Sequence, residues 1–297
     1  MIERIIDLSE EAARLSVRLG QLVIQPKAGD EVTVPVEEVG VLVVAHRQVV
    51  YTHAVLANLA AAGGVFIACD ERRMPAGLML PIAQHHLQTE RFALQARASL
   101  PTKKRVWQQI VTAKVRAQGT LLKELHGNDR GLLELGRKVK SGDPDNLEAQ
   151  ASRRYWPALF APDTFRRDRE AEDQNRHLNY GYAVLRAMIA RAICAAGLHP
   201  SLGVHHHNRY DAFCLADDLM EPFRPIVDRA VARHVWEHGK DAPLDRGAKS
   251  ALLSALMRQR FKIESEERTL FDVAARTASS LAKIFAGEQQ KLLLPEV

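Results

Sequence analysis

AGLMLPIAQHHLQTERFALQARASL, residues 76 to 100, is where the chain changes its pattern. Up to Pro81 the apolar residues fall in short runs of strand length. From Ala83 onward they return every three or four positions, the period of an amphipathic helix. The change divides the chain into a β-rich part, residues 1–81, a linker at 82–86 and a helical part, residues 87–297.

On the N-terminal side, IIDL, RLSVRL and QLVIQ around Gly20, EVTVPVEEV after KAGDE, and VLVVA read as strands. Their β-branched residues and their Gly and Asp punctuation predict short antiparallel pairing. VYTHAVLANLAAAGG reads as one helix stopped by glycines, followed by strands VFIACD and AGLML. On the C-terminal side helices are predicted for KKRVWQQIVTAKVRAQGTLLKELH, DNLEAQASRRYWPALF, HLNYGYAVLRAMIARAICAAG, AFCLADDLMEPFRPIVDRAVARHVWEH, AKSALLSALMRQR and TLFDVAARTASSLAKIFAG. Pro101 suits a helix start, because its missing N–H would be an unpaired donor there in any case. The fold class expected is therefore α+β, strands first and helices after.

The 297 residues, 46% of them hydrophobic, suffice for sizeable buried cores. No apolar run reaches the roughly 18–20 residues a membrane span requires, and MIERIIDLSEE has no signal-peptide core, so a cytoplasmic protein without a membrane partner is expected. Cys69, Cys194 and Cys214 are widely spaced and odd in number, which suits reduced thiols. The net charge of +5 is uneven: residues 1–81 carry −3 and the remainder +8. A positive helical part favours a polyanion, since Lys and Arg release counterions from a phosphate backbone; a solvated basic surface is the plainer alternative.

Four polar residues stand out against this background: Glu148, His206, Asp218 and Glu221. Asp143 or Asp145 can cap the helix that carries Glu148, and the next residues on its face, Ala151, Ser152 and Tyr155, leave room beside the carboxylate. A first-turn glutamate also simply favours the helix dipole. Asp218 and Glu221 are i, i+3 on one helix, where two like charges call for a cation or for Arg224 as compensation. Pro222 and Pro225 predict a kink just past the acids. His205, His206 and His207 supply imidazoles, although loop histidines more often serve as hydrogen-bonding links. Acids with one imidazole suit Mg2+ or Mn2+ better than structural zinc, for which CxxC and HExxH are absent. Such a set handles phosphate oxygens and points to phosphodiester chemistry on a nucleic acid.

No P-loop and no GxSxG elbow is present, so nucleotide hydrolysis and serine catalysis lack support. Basic clusters at Lys103, Lys104 and Arg105, at Lys114 and Arg116, at Arg153 and Arg154, and at Arg166 and Arg167 are candidates for tracking a DNA backbone, with Arg224 beside the acids.

Four stretches carry a family resemblance: E-x-x-x-x-R-x-Y-W at Glu148–Trp156, LNYGYAVL at 178–185, G-x-x-H at Gly203–His206 and D-x-M-E-P-F-R-P at 218–225. With CDERRMPAGLMLP at the end of the β-rich part, the chain resembles along nearly its whole length the CRISPR-associated adaptation integrases, the catalytic subunits of spacer-acquisition complexes, in the form found with type II systems. The resemblance implies an N-terminal β-sandwich-like dimerisation domain with one helix and an all-α catalytic domain. It implies Glu148, His206 and Glu221 as catalytic metal-binding residues for Mg2+ or Mn2+, with Asp218 a nearby acid. His206 is preferred among the three histidines by its spacing from Gly203 and Glu221.

The partners implied are double-stranded DNA with free or splayed 3' ends, CRISPR repeat DNA, a second copy of the chain and a small ferredoxin-like adaptation protein completing a heterohexamer. The activity implied is metal-assisted transesterification, in which the 3'-hydroxyl of a short foreign fragment attacks a phosphodiester at the repeat edge. A catalytically silent DNA-binding scaffold and a metal-dependent phosphoesterase for small substrates are the rival readings.

Overall fold

The computed structural model describes residues 3–71, 74–161, 165–168, 170–263 and 266–295; Arg72 and Arg73 of the CDERRMPAGLMLP stretch lie outside them. The N-terminal part runs through β1 (Arg4–Leu8), β2 (Ala13–Arg18), β3 (Gln21–Pro26), β4 (Val32–Pro35), β5 (Val39–Val44), β6 (Val50–Tyr51), α1 (His53–Ala61), β7 (Val65–Cys69) and β8 (Pro75–Met79). Two four-stranded sheets result, ordered β1-β5-β7-β8 and β4-β3-β2-β6.

The expected antiparallel pairing holds for β2 with β3, β3 with β4 and β7 with β8. It fails at the centre of the first sheet, where β1, β5 and β7 run parallel, and at β2 with β6. The physical reason is legible in β5 itself. VGVLVV is apolar without interruption and buried throughout, which is the mark of a strand covered on both faces. Side chains alternate across the sheet. Leu42, Val44 and Phe66 face the second sheet and α1, packing with Leu15, Leu22, Ile24, Val55 and Leu59. Val41, Val43, Val65 and Ile67 face the other way and join the core of the helices. The first sheet is thus the shared wall between two cores.

The helical part comprises α2 (Gln88–Arg97), α3 (Leu100–His126), α4 (Leu132–Arg137), α5 (Leu147–Leu159), α6 (Asn175–Ala195), α7 (Cys214–Met220), α8 (Arg224–His238), α9 (Arg246–Arg258) and α10 (Leu270–Phe285). The expectation of an all-α second part is corrected by a hairpin, β9 (Arg260–Ile263) with β10 (Glu266–Thr269), paired antiparallel. Its sequence is mostly charged and gave no alternating apolar signal. Among the described residues, no helix is long and apolar enough to cross a membrane.

The axis of this part is α3. Ser99 caps it by accepting from Thr102 N at 3.3 Å, Pro101 sits in its first turn, and Gly127 closes it at φ 71°. Trp107, Ile110, Val111, Val115, Leu121 and Leu122 form its buried stripe. The helices α5, α6 and α8 are tied by one carboxylate: Tyr155 Oη donates to Asp228 Oδ2 at 2.7 Å and the Tyr182 hydroxyl donates to Oδ1. Tyr155 and Tyr182 therefore hold helices together, and burial pushes the Asp228 carboxyl up to about 6. Gly181 lets α6 and α8 approach, since a Cβ there would lie 2.5 Å from Val227 Cγ1.

Candidate active site

Four segments meet along the N-terminal half of α3. Its own contributions are Trp107 and Lys114. Glu148 comes from the first turn of α5, whose entry loop turns through left-handed residues at Asp143 and Asn146. The Asp143 carboxylate accepts from Leu147 N at 2.8 Å and Glu148 N at 3.0 Å, so of the two candidate caps it is Asp143 that satisfies the helix start. Glu221 lies in the short 3-10 turn Glu221–Phe223 between α7 and α8, where Pro222 and Pro225 interrupt the α-helical ladder as expected.

Asp218, fully buried on α7, organises the histidine loop. Its Oδ2 accepts from Val204 N at 2.7 Å and His205 N at 2.9 Å. Its Oδ1 accepts from His206 N at 3.2 Å and contacts His206 Nδ1 at 2.6 Å. Only glycine fits at 203, because a Cβ would come within 2.2 Å of the His206 carbonyl oxygen and 2.9 Å of Asp218 Oδ2. Three adjacent histidines are thereby given different surroundings. His205 stacks on Trp107, His206 is held through Nδ1 by Asp218, and the His207 ring turns back on the His205 carbonyl. The bond to Asp218, opposed by burial, raises the His206 pKa. With Nδ1 occupied, Nε2 is the nitrogen left to face a ligand, the arrangement in which a carboxylate orients a metal-binding imidazole.

Glu148 and Glu221 are brought together by Lys114, a buried cation and not one of the surface cations expected for the Lys114 and Arg116 cluster. Lys114 Nζ lies 2.5 Å from Glu148 Oε1 and 2.6 Å from Glu221 Oε2. Arg224 Nε lies 3.0 Å from the other oxygen, Glu221 Oε1, and its guanidinium rests over the Tyr182 ring. Burial would raise the Glu221 pKa, but Arg224 and Lys114 hold it down to about 2. Burial likewise opposes charge on Lys114, and Glu221 with Glu148 outweighs it, so its pKa is raised. The signal for Lys114 was present in the sequence. It occupies the apolar stripe of α3, four residues after Ile110 and seven after Trp107, where a solvated lysine does not belong.

Arg224 is thus the counter-charge of Glu221, while Lys104, Arg105, Arg153 and Arg154 are exposed on α3 and α5 and Lys103 is half-buried. Asp217, next to Asp218, is clamped by Arg186 at 2.6 and 2.9 Å.

Among the described residues, no three His, Cys, Asp or Glu side chains close around a point that could hold an ion. The donors nonetheless suit a hard divalent cation: the carboxylates of Glu148 and Glu221, of which Glu221 Oε2 is buried and has an ion contact without an aligned hydrogen bond, and one imidazole nitrogen oriented from behind.

The model of the family described as CRISPR associated protein Cas1 matches residues 7–266. The chain is 38% identical over 295 residues to the CRISPR-associated endonuclease Cas1 of Neisseria meningitidis serogroup C (strain 8013), covering 98% of this chain and 95% of that one. A casposase bound to integration product has the same fold, with TM-score 0.79, 19% identity and coverage of 97% and 92%. So does a chain of a Cas6-RT-Cas1–Cas2 complex, with TM-score 0.75 and 19% identity, of which this chain spans 37% and by which it is itself wholly covered. A match along nearly the full sequence, to a family model and to a relative alike, makes this chain a member of the Cas1 family.

Proposed function

We propose that the protein is a metal-dependent DNA integrase and endonuclease that joins the 3'-hydroxyl ends of short foreign DNA to phosphodiesters at a CRISPR repeat. The observation that carries this reading is the gathering of Glu148 of α5 and Glu221 of the turn between α7 and α8 on one buried ammonium, beside the Asp218-anchored His206. The reading is supported by membership of the Cas1 family and by the shared fold with a casposase described with integration product.

Transesterification needs no external energy source. A bond forms from the attacking 3' oxygen to phosphorus as the bond to the repeat strand's own 3' oxygen breaks; the attacking hydroxyl gives up its proton to solvent and the departing oxygen takes one up as the repeat strand's new 3'-hydroxyl. Glu148, His206 and Glu221 would hold Mg2+ or Mn2+, which when bound polarises the phosphate and offsets developing charge. Asp218 fixes the loop so that His206 presents Nε2, and Arg224 fixes Glu221. The exposed cations Lys104, Arg105, Arg153 and Arg154, with Lys103, serve the DNA backbone.

Two strand transfers require two such sites at a fixed spacing, which a homodimer, residues 1–81 acting as its dimerisation domain, supplies when joined by a small second adaptation protein. The Cas1–Cas2 assembly named for one fold relative supports that partner.

The test is joining of a labelled fragment to a repeat substrate in Mn2+, Mg2+ or chelator. Glu148→Ala and His206→Ala are expected to lower joining by about 100-fold or more while DNA affinity stays within a few-fold. Wild-type joining by either variant would reject the site; joining undiminished in chelator would reject the metal; and DNA binding without joining under any condition would leave the scaffold reading.

A further inference from the structure

Lys114 is 7% exposed and surrounded along α3 by Ile110, Val111, Val115 and Gln118. A lysine stays charged in such a place only if carboxylates replace the water it loses. Here the replacements are Glu148 Oε1 and Glu221 Oε2. With Glu221 Oε1 taken by Arg224, Glu221 Oε2 is the oxygen a divalent cation would have to share with an ammonium already in contact with both acids.

The charge balance extends the point. Glu148 and Glu221 are matched by Lys114 and Arg224, Asp217 by Arg186, and Asp218 is engaged by three backbone N–H groups and His206. The acid pair is matched in charge before any metal arrives, so a divalent ion brings excess positive charge beside the buried Lys114 and Glu221. A phosphodiester is the group that removes that excess.

We propose that Lys114 is a tethered cation that stands in for the metal in the DNA-free protein, keeps Glu148 and Glu221 together, and holds metal affinity low until a DNA phosphate is present. The inference rests on the metal-site reading above and adds to it an order of assembly, in which metal and DNA bind cooperatively.

The experiment is Mn2+ binding to the full chain, followed by electron paramagnetic resonance and calorimetry, with and without a short duplex. In the wild type, DNA should tighten Mn2+ binding about tenfold or more. Lys114→Met should bind Mn2+ about tenfold tighter than wild type in the absence of DNA and lose most of the DNA coupling, while Lys114→Arg, which keeps the charge, should stay close to wild type. In chelator Lys114→Met should melt lower than wild type and recover on addition of Mn2+, because the buried Glu221 and the partly buried Glu148 lose the cation between them.

Glu148→Gln separates the two levels of the argument. If it weakens Mn2+ binding but Lys114→Met does not tighten it, the metal site stands and the role of Lys114 falls. If Glu148→Gln binds Mn2+ as wild type does, the metal-site reading falls and this inference with it. Should Lys114→Met fail to fold, the wild-type coupling alone decides, since Mn2+ affinity indifferent to DNA overturns the proposal.

Discussion

The indole of Trp107 and the imidazole of His205 lie 1° from parallel with their centroids 4.0 Å apart, and the His206 ring meets the same indole edge-on at 5.7 Å. Trp107 is almost wholly buried in α3, so a rigid wall of the longest helix sets the position of the histidine loop. His205 takes the face of that wall, and the next residue is thereby directed to Asp218.

Trp107→Leu removes the wall and leaves a cavity. We expect a stability loss of about 3 kcal/mol in urea unfolding and a drop in strand joining beyond what the residual folded fraction explains. Trp107→Phe, which keeps a flat ring, should retain most of the joining rate. Equal rates for Leu and wild type would show that stacking does not position His206.

Gly203→Ala forces a Cβ against the His206 carbonyl oxygen and Asp218 Oδ2. The backbone must move to admit it, so strand joining should fall at least as far as in His206→Ala while α-helical circular dichroism is kept. A fully active Gly203→Ala would show that the loop tolerates displacement.

Asp218→Asn replaces a carboxylate that accepts from three backbone N–H groups with an amide that has a single accepting oxygen. Leaving buried donors unmatched should cost about 2–4 kcal/mol. Amide hydrogen exchange at residues 204–206 should accelerate more than exchange in α6. Unchanged protection there would show that Asp218 is not the anchor of the loop.

His177 on α6 is buried against His234 of α8, with ring centroids 5.0 Å apart, and His234 stacks on His238 at 4.4 Å. Burial first and His234 second hold the His177 pKa down to about 4. The unfolded chain binds this proton near the ordinary value of about 6.5, so between those pH values it holds more protons than the folded state. The contribution of neutral His177 is therefore complete above pH about 6.5 and is lost as pH falls toward 4, by at most about 3 kcal/mol. His177→Phe should flatten the fall in melting temperature across that window; a slope equal to wild type would place the acid sensitivity elsewhere.

Local pattern carried most of the order of strands and helices, the helix start at Pro101 and the break at Pro222, because periodicity and proline geometry act within a few residues of chain. The parallel centre of the first sheet and the polar β9–β10 hairpin escaped it, since pairing partners far away decide strand direction and a short charged hairpin has no apolar alternation to read. Tertiary structure settled three matters that local pattern left open at the site: which carboxylates the inward Lys114 meets, that His206 of the three adjacent histidines is held by Asp218, and which acid Arg224 serves. Each is decided by contacts across 12 or more residues of chain or by a helix turn at a kink, where the energy of a buried charge depends on what packs against it and not on its neighbours in sequence.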